Sequence, residues 1–479
     1  MFSLSCGTQT NNIKKHTILG TDYNYLTSNS NQGMSDDGKR LIIQEREDAD
    51  NLDTTVSKIQ ILEYSNNNWT AMKIMKNRDF IFGETPGYTV NEIVYTTSEY
   101  VATEYNDIDF FGRSVAMSGD GNHVAIGAAK YNNGTTAGII GLVDIYKWDI
   151  DSLQWNHVIQ LTPTGSSNNN DQYGLCVSLS FNGSCLGVSQ FGYDDGMSNK
   201  GRVFIYTTDD YVDYAIQKIL LSDDPKVQER FGIKILLNRD GDICLIHSRF
   251  DEDGELRGRN PDEWTNKTFS NSDTNNTEKL AGTNYMGTNF GRGRVYIFIK
   301  DNNEWLLKET ITGEQNNSIT QTSGGGIGSN QGLSMSNKEN NKTTIVISAP
   351  NYGYEQFPIS SQENDTEKGR LYIYTYNHNN NTVSDVVQTI NTEVSGSKLG
   401  SFVQLSQDSN TLMVRYDQTK IGYYKKSSTG VADQYEYILN SVYDTTFTIT
   451  HLQTSDNFKT FLVTYKDDNL YKIRIIKKA

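Results

Sequence analysis

Residues 110–129, FFGRSVAMSGDGNHVAIGAA, followed by GLVDIYKW at 141–148, decide the fold. Apolar residues alternate with small or polar ones on either side of Asp120-Gly121. Two such runs around an Asp-Gly pair read as a β-hairpin whose turn wants φ > 0 at both central residues. Pairing across it sets Met117 opposite Val124 and Val115 opposite Ile126, with Ala116, Ala125 and Gly127 on the other face. Residues 141–148 alternate again and form a third strand. We label these strands a, b and c.

The arrangement recurs along the chain. Strand c returns as GRVFIYTT (201–208), GRVYIFIK (293–300) and GRLYIYTY (369–376), and in weaker form at 57–64, 419–426 and 469–476. The a–b hairpin returns at 176–190 around Asn182-Gly183, and at 233–248, 333–350 and 402–416. A fourth segment, strand d, follows strand c at 69–76, 155–162, 213–221, 304–312, 384–391 and 435–442. That leaves six copies of d for seven of c, and residues 11–20, NNIKKHTILG, resemble the missing copy. An N-terminal strand pairing in the C-terminal blade closes a ring and removes exposed sheet edges.

The expected fold is therefore all-β, a seven-bladed β-propeller of four-stranded antiparallel blades. The blades fall at 21–78, 108–163, 171–221, 229–312, 325–391, 397–442 and 443–479 plus 11–20, with long insertions at 79–107 and 248–292. Length alone would have pointed to about three domains. The repeat makes the 479 residues one domain.

Composition removes several function classes. Asp+Glu is 58 against 43 Lys+Arg, a net charge of −15, which disfavours a general nucleic-acid binder. No apolar run approaches the ~18 residues of a membrane span. The four Cys form no CxxC, and the six His form no HxH or HExxH, so no zinc site is expected. Cys176 and Cys185 are not opposite each other in their hairpin, which argues against a disulfide. The first dozen residues hold neither a basic stretch nor an apolar run, so no secretory signal is expected.

Phe111-Gly112 opens the first hairpin quoted, with variants at Tyr173-Gly174, Phe231-Gly232 and Leu399-Gly400. The hairpins end in GAA (127–129) and SAP (348–350). These elements resemble the FG-GAP repeat of the integrin α-subunit propeller, and the repeat covers nearly the whole chain. Blades 1, 5 and 7 lack a clear aromatic–glycine pair, and no segment resembles the later integrin domains. The resemblance implies a recognition or adhesion role, and an extracellular or virion-surface setting. Without a leader, a cytoplasmic setting fits equally. It also implies Ca²⁺ held by alternating Asp and Asn oxygens in the a–b turn. Asn238, Asp240 and Asp242 come nearest to that pattern. Leu236 and Cys244 stand where flanking ligands would be needed, so a plain polar turn competes.

In an up-and-down blade the a–b and c–d turns share one end, and the b–c and d–a connections share the other. The long insertions fall at the second end. Binding usually sits where variable loops are carried on a rigid scaffold. Segment 79–109 contains Glu99, Glu104, Asp107 and Asp109 among its acids and no Lys or Arg. Asp194, Asp195, Asp251 and Asp253 lie in connections of the same end. The expected function is a non-enzymatic module presenting this acidic face to a protein or glycan partner. The competing expectation is a hydrolase or lyase with a carboxylate pair, such as Asp107/Asp109 or Asp194/Asp195, at the mouth of the ring.

Overall fold

The computed structural model describes residues 13–18, 32–47, 56–66, 68–76, 111–129, 140–164, 171–195, 199–225, 229–248, 293–312, 332–350, 368–392, 397–429, 435–444, 448–455, 458–467 and 470–478. These residues form seven antiparallel sheets. Strand β1 (Ile13–Ile18) stands apart from the sheets that follow it in sequence. Blade 1 is β2 (Gln32–Met34), β3 (Arg40–Glu47), β4 (Val56–Ser65) and β5 (Asn68–Lys76). Blade 2 is β6 (Phe111–Met117), β7 (His123–Ala128), β8 (Leu142–Asp149) and β9 (Gln154–Leu161). Blade 3 is β10 (Tyr173–Leu179), β11 (Cys185–Gln190), β12 (Arg202–Thr207) and β13 (Ala215–Leu220).

Blade 4 is β14 (Lys234–Leu237), β15 (Ile243–Ser248), β16 (Arg294–Asp301) and β17 (Glu304–Thr312). Blade 5 holds β18 (Leu333–Met335), β19 (Lys342–Ala349) and β20 (Arg370–Asn377), with its outer strand in two pieces, β21 (Thr382–Val383) and β22 (Gln388–Asn391). Blade 6 is β23 (Val403–Leu405), β24 (Thr411–Asp417), β25 (Lys420–Ser428) and β26 (Tyr435–Asp444). Blade 7 is β27 (Thr448–Thr454), β28 (Thr460–Asp467) and β29 (Leu470–Lys478), completed by β1, which pairs with β29 from Ile13↔Lys478 to Ile18↔Ile473. The terminal closure expected from the strand count is thus the observed one.

Strand c is apolar along nearly its whole length because both its faces are buried. In β16, Val295, Ile297 and Ile299 pack toward blade 5, while Tyr296 and Phe298 pack toward blade 3. In β12, Val203 and Ile205 face blade 4, and Phe204 and Tyr206 face blade 2. The same division holds in β20, with Leu371 and Ile373 toward blade 6 and Tyr372, Tyr374 and Tyr376 toward blade 4. Aliphatic residues therefore meet the next blade and aromatics the previous one, a period-2 split that stacks the sheets around an axis. Blade 7 meets blade 1 where Thr460 Oγ1 donates to the Gly38 carbonyl at 3.1 Å.

Two expectations need correction. The hairpin register is as expected, Met117↔Val124 and Val115↔Ile126, but only Gly121 of the turn pair has φ > 0. Gly121 N–H closes the turn onto the Ser118 carbonyl at 2.9 Å, so the chain reverses over 118–121 and needs a single left-handed residue afterwards. The outer strand of blade 5, expected unbroken over 384–391, is split. The c–d ladders of blades 1, 2, 3, 4 and 6 each carry one register shift, and blade 5 widens that irregularity. Cys176, Cys185 and Cys244 are free thiols, pushed up by burial.

Candidate functional site

At the a–b end, one residue of each blade closes the turn. Ser35, Ser118, Ser180, Asn238, Ser406 and Ser455 each accept, on the side-chain oxygen, the N–H of the residue that opens strand b, at 2.9–3.0 Å, and Ser336 accepts that of Thr344, the third residue of β19, at 3.0 Å. In three blades the hydroxyl also donates to an Asp two residues on, Asp37, Asp120 or Asp408, at 2.6–2.8 Å. That Asp in turn accepts a backbone N–H of the turn. In blade 4, Asn238 Oδ1 takes the N–H groups of Asp242 and Ile243, and its Nδ2 donates to Asp242 Oδ1 at 2.6 Å. Asn238 Oδ1 and Asp242 Oδ1, two of the oxygens expected to face Ca²⁺, are thereby engaged within the turn. Among the described residues no group of three or more His, Cys, Asp or Glu is arranged to hold a metal.

The residue after each of these turn-closing residues is free to differ, and several of those residues converge. Backbone N–H groups pass from turn to turn, Asp36 to the Gly119 carbonyl (2.8 Å), Phe181 to Arg239 (2.9 Å) and Asn337 to Gln407 (2.9 Å). Asp36 Oδ2 accepts both the Arg239 guanidinium and the Gln407 amide. The Arg239 guanidinium carbon lies over Phe181, 3.3 Å from its ring centroid. Side chains of blades 1, 3, 4 and 6 therefore meet at this end.

At the opposite end the described part of the expected binding face lies in blades 3 and 4. Asp194 and Asp195 sit in the β11–β12 connection. Asp194 Oδ1 accepts the Asn199 N–H, and Lys200 Nζ holds Asp195 Oδ2 at 2.6 Å. That ammonium keeps the Asp195 carboxyl below the usual range. Behind them Arg202 stacks on Tyr193 at 3.7 Å and donates to Gln190 Oε1 (2.6 Å) and the Thr164 carbonyl (3.0 Å). Gln190 donates onward to the buried Asp171 at 2.9 Å. Blade 4 repeats the plan. Tyr296 donates to the buried Glu229 at 2.6 Å, and Arg294 pairs with Asp224 at 3.7 Å. Burial, then Glu229, raises the Tyr296 hydroxyl. Glu99, Glu104, Asp107, Asp109, Asp251 and Asp253 lie outside the described residues.

Asp171, Glu229, Arg202 and Arg294 were not among the expected site residues, although their signal was in the repeat. Arg202 and Arg294 follow the glycine that opens strand c, and Asp171 and Glu229 stand two residues before Tyr173-Gly174 and Phe231-Gly232. The aromatic residue binds the preceding blade through its backbone, Tyr173 N–H to the Ile140 carbonyl (3.1 Å) and Phe231 N–H to Lys200 (3.0 Å). A third polar cluster lies between blades 1 and 2. Lys73 donates to the Trp155 carbonyl at 2.7 Å, 4.5 Å from the Tyr146 ring centroid, and burial pulls its ammonium down to about 8. Nearby, the buried Asp144 accepts from His157 (3.1 Å) and Gln160 (3.0 Å).

No family model matches the chain, and no curated protein matches it. Solved structures are similar in fold. A chain of the mitotic checkpoint complex is 11% identical, with a TM-score of 0.44, over 100% of this chain and 94% of that one. The periplasmic gluconolactonase of Pseudomonas aeruginosa is 11% identical, with a TM-score of 0.43, over 95% and 93%. The Cps50 (Swd1) β-propeller domain of Myceliophteria thermophila is 10% identical, with a TM-score of 0.40, over 75% and 81%. At these scores the likeness bears on no activity. The chain is a β-propeller on its own seven sheets.

Proposed function

We propose that this propeller is a non-enzymatic recognition module. It offers its b–c/d–a end, with the connections 79–107 and 248–292, to a protein or glycan partner in adhesion or in a surface or virion assembly. The observation that carries this reading is the asymmetry of the two ends. Asp36, Arg239, Gln407 and Phe181 of four blades meet at the a–b end, and the long connections all leave from the other. The FG-GAP resemblance of Phe111-Gly112, Tyr173-Gly174 and Phe231-Gly232 agrees with it, as an analogy. A hydrolase or lyase would need a poised carboxylate pair. Asp195, Asp224, Asp171 and Glu229 each hold a donor from the fold instead.

The test uses the intact chain immobilised against a Lys/Arg-rich peptide and a glycan array, across an ionic-strength series, with and without Ca²⁺. A version with 79–107 replaced by a Gly/Ser linker serves as comparison. Acidic steering predicts an on-rate that falls about tenfold or more from low to physiological salt, and a smaller fall without the segment. An on-rate indifferent to both salt and segment overturns the acidic-face reading. Turnover of a glycan by the intact chain would favour the enzyme.

A further inference from the structure

We propose that Asp36, Arg239 and Gln407 form an axial latch that holds the closed ring from its centre, in addition to the rim closure made by β1. In a ring of repeats the blades couple to their neighbours, and an opening at the seam where β1 meets β29 is the natural route to local unfolding. Among the described hydrogen bonds, the latch links blades that are not neighbours. Asp36 of blade 1, next to the seam, accepts from Arg239 of blade 4, 203 residues away, and from Gln407 of blade 6, 371 residues away. Closing loops of that length through one carboxylate constrains the whole ring rather than one turn.

The surroundings are shaped for the latch. Asp37 is bound within its own turn by the Ser35 hydroxyl and the Lys39 N–H, whereas Asp36 reaches the axis. The Asp36 and Arg239 side chains are both under a third exposed, at 27% and 29%, so their pairing is partly shielded from solvent. Phe181 supports the guanidinium from below. Gly119 leaves the space in which Asp36 and Phe181 meet, since a methyl there would overlap the Phe181 ring and come within 2.8 Å of both Asp36 carboxylate oxygens. Gly119 has no left-handed φ, so alanine is allowed by its backbone and the cost is steric alone.

Hydrogen exchange of the full-length chain tests the latch. Asp36→Ala is expected to speed exchange about tenfold in three places at once: the blade 4 turn, the blade 6 turn, and the seam strands β27–β29 and β1. Gly119→Ala, which touches none of the latch charges, is expected to act in the same places. The reversed pair Asp36→Arg with Arg239→Asp is expected to recover much of the loss of either single change, because the Gln407 amide can turn its oxygen toward an arginine. Should Asp36→Ala not fold, Asp36→Asn is measured instead and expected to show the same pattern more weakly. An effect confined to residues 35–40, or a reversed pair no better than its singles, overturns the proposal. It does not depend on the proposed binding role, since no partner enters the measurement.

Discussion

The two ends of the ring solve opposite problems with similar residues. At the a–b end seven turns repeat one local solution, a Ser or Asn side chain capping the start of strand b, and polar side chains are absorbed by backbone a few residues away. At the b–c/d–a end polar side chains reach between strands and between blades, as Arg202, Gln190 and Asp171 do. A polar residue that repeats in every blade is part of the scaffold. Specific contacts arise where equivalence between blades fails, at Asp36, Phe181, Arg239 and Gln407 on one end and at Asp171, Gln190 and Arg202 on the other.

The largest expected effect is at the seam between blades 2 and 3. A methyl at Gly127 would overlap the Gly174 carbonyl oxygen, a backbone atom that cannot swing away. Gly127→Ala is expected to cost about 3 kcal/mol, read as a lower midpoint in urea with an unchanged slope. A midpoint like the unsubstituted protein's would mean that the blades are not in close contact there.

The a–b end should break with acid. His123 is buried and stacked on Tyr211 at 4.8 Å, and burial lowers its pKa from 6.5 to about 4, with Asp120 pulling it up and Lys147 down. The unfolded chain takes up the proton first, so this contribution is full above pH 6.5, declines below it and is gone near pH 4. The loss amounts to ~3 kcal/mol at most. In thermal melts from pH 8 to 4 the chain should lose stability more steeply than His123→Phe; parallel curves would count against it.

Ser118→Ala removes the acceptor of the His123 N–H and should cost about 1–3 kcal/mol in the same melts, with Ser406→Ala similar. A smaller effect sharpens the division at the other end. In sequence Asp109 stands two residues before Phe111-Gly112, as Asp171 stands before Tyr173-Gly174. Asp171→Asn is expected to lower stability by about 1 kcal/mol by weakening its bond from Gln190, and Asp109→Asn is expected to do the same rather than to abolish partner binding. Asp195→Asn should lower the melting temperature only slightly, because the Asp195 side chain is 65% exposed, although the Lys200 ammonium that it holds is largely buried.

The strands of blade 2 were legible because Val115, Met117, Val124 and Ile126 announce their pairing through a period of two and a glycine turn. The split outer strand of blade 5 was not, since 384–391, SDVVQTIN, follows strand c just as the outer strands of the other blades do, and nothing local marks where its pairing with β20 is interrupted. Asn238, Asp240 and Asp242 carried a metal-like pattern, but spacing counts oxygens without showing which amides already hold them. Arg202 and Arg294 were visible as Gly-Arg pairs, yet nothing local to them indicated Gln190 or Asp224 as partners.

Strand order, blade number and ring closure were thus within reach of the chain read alone, because each follows from local periodicity, turn chemistry and the tally of strands c and d. The meeting of Asp36 with Arg239 and Gln407, and the two buried acid clusters at the b–c/d–a end, belong to the folded ring. Periodicity says which face of a strand is buried. It cannot say which residue, hundreds of positions away, the fold will bring opposite.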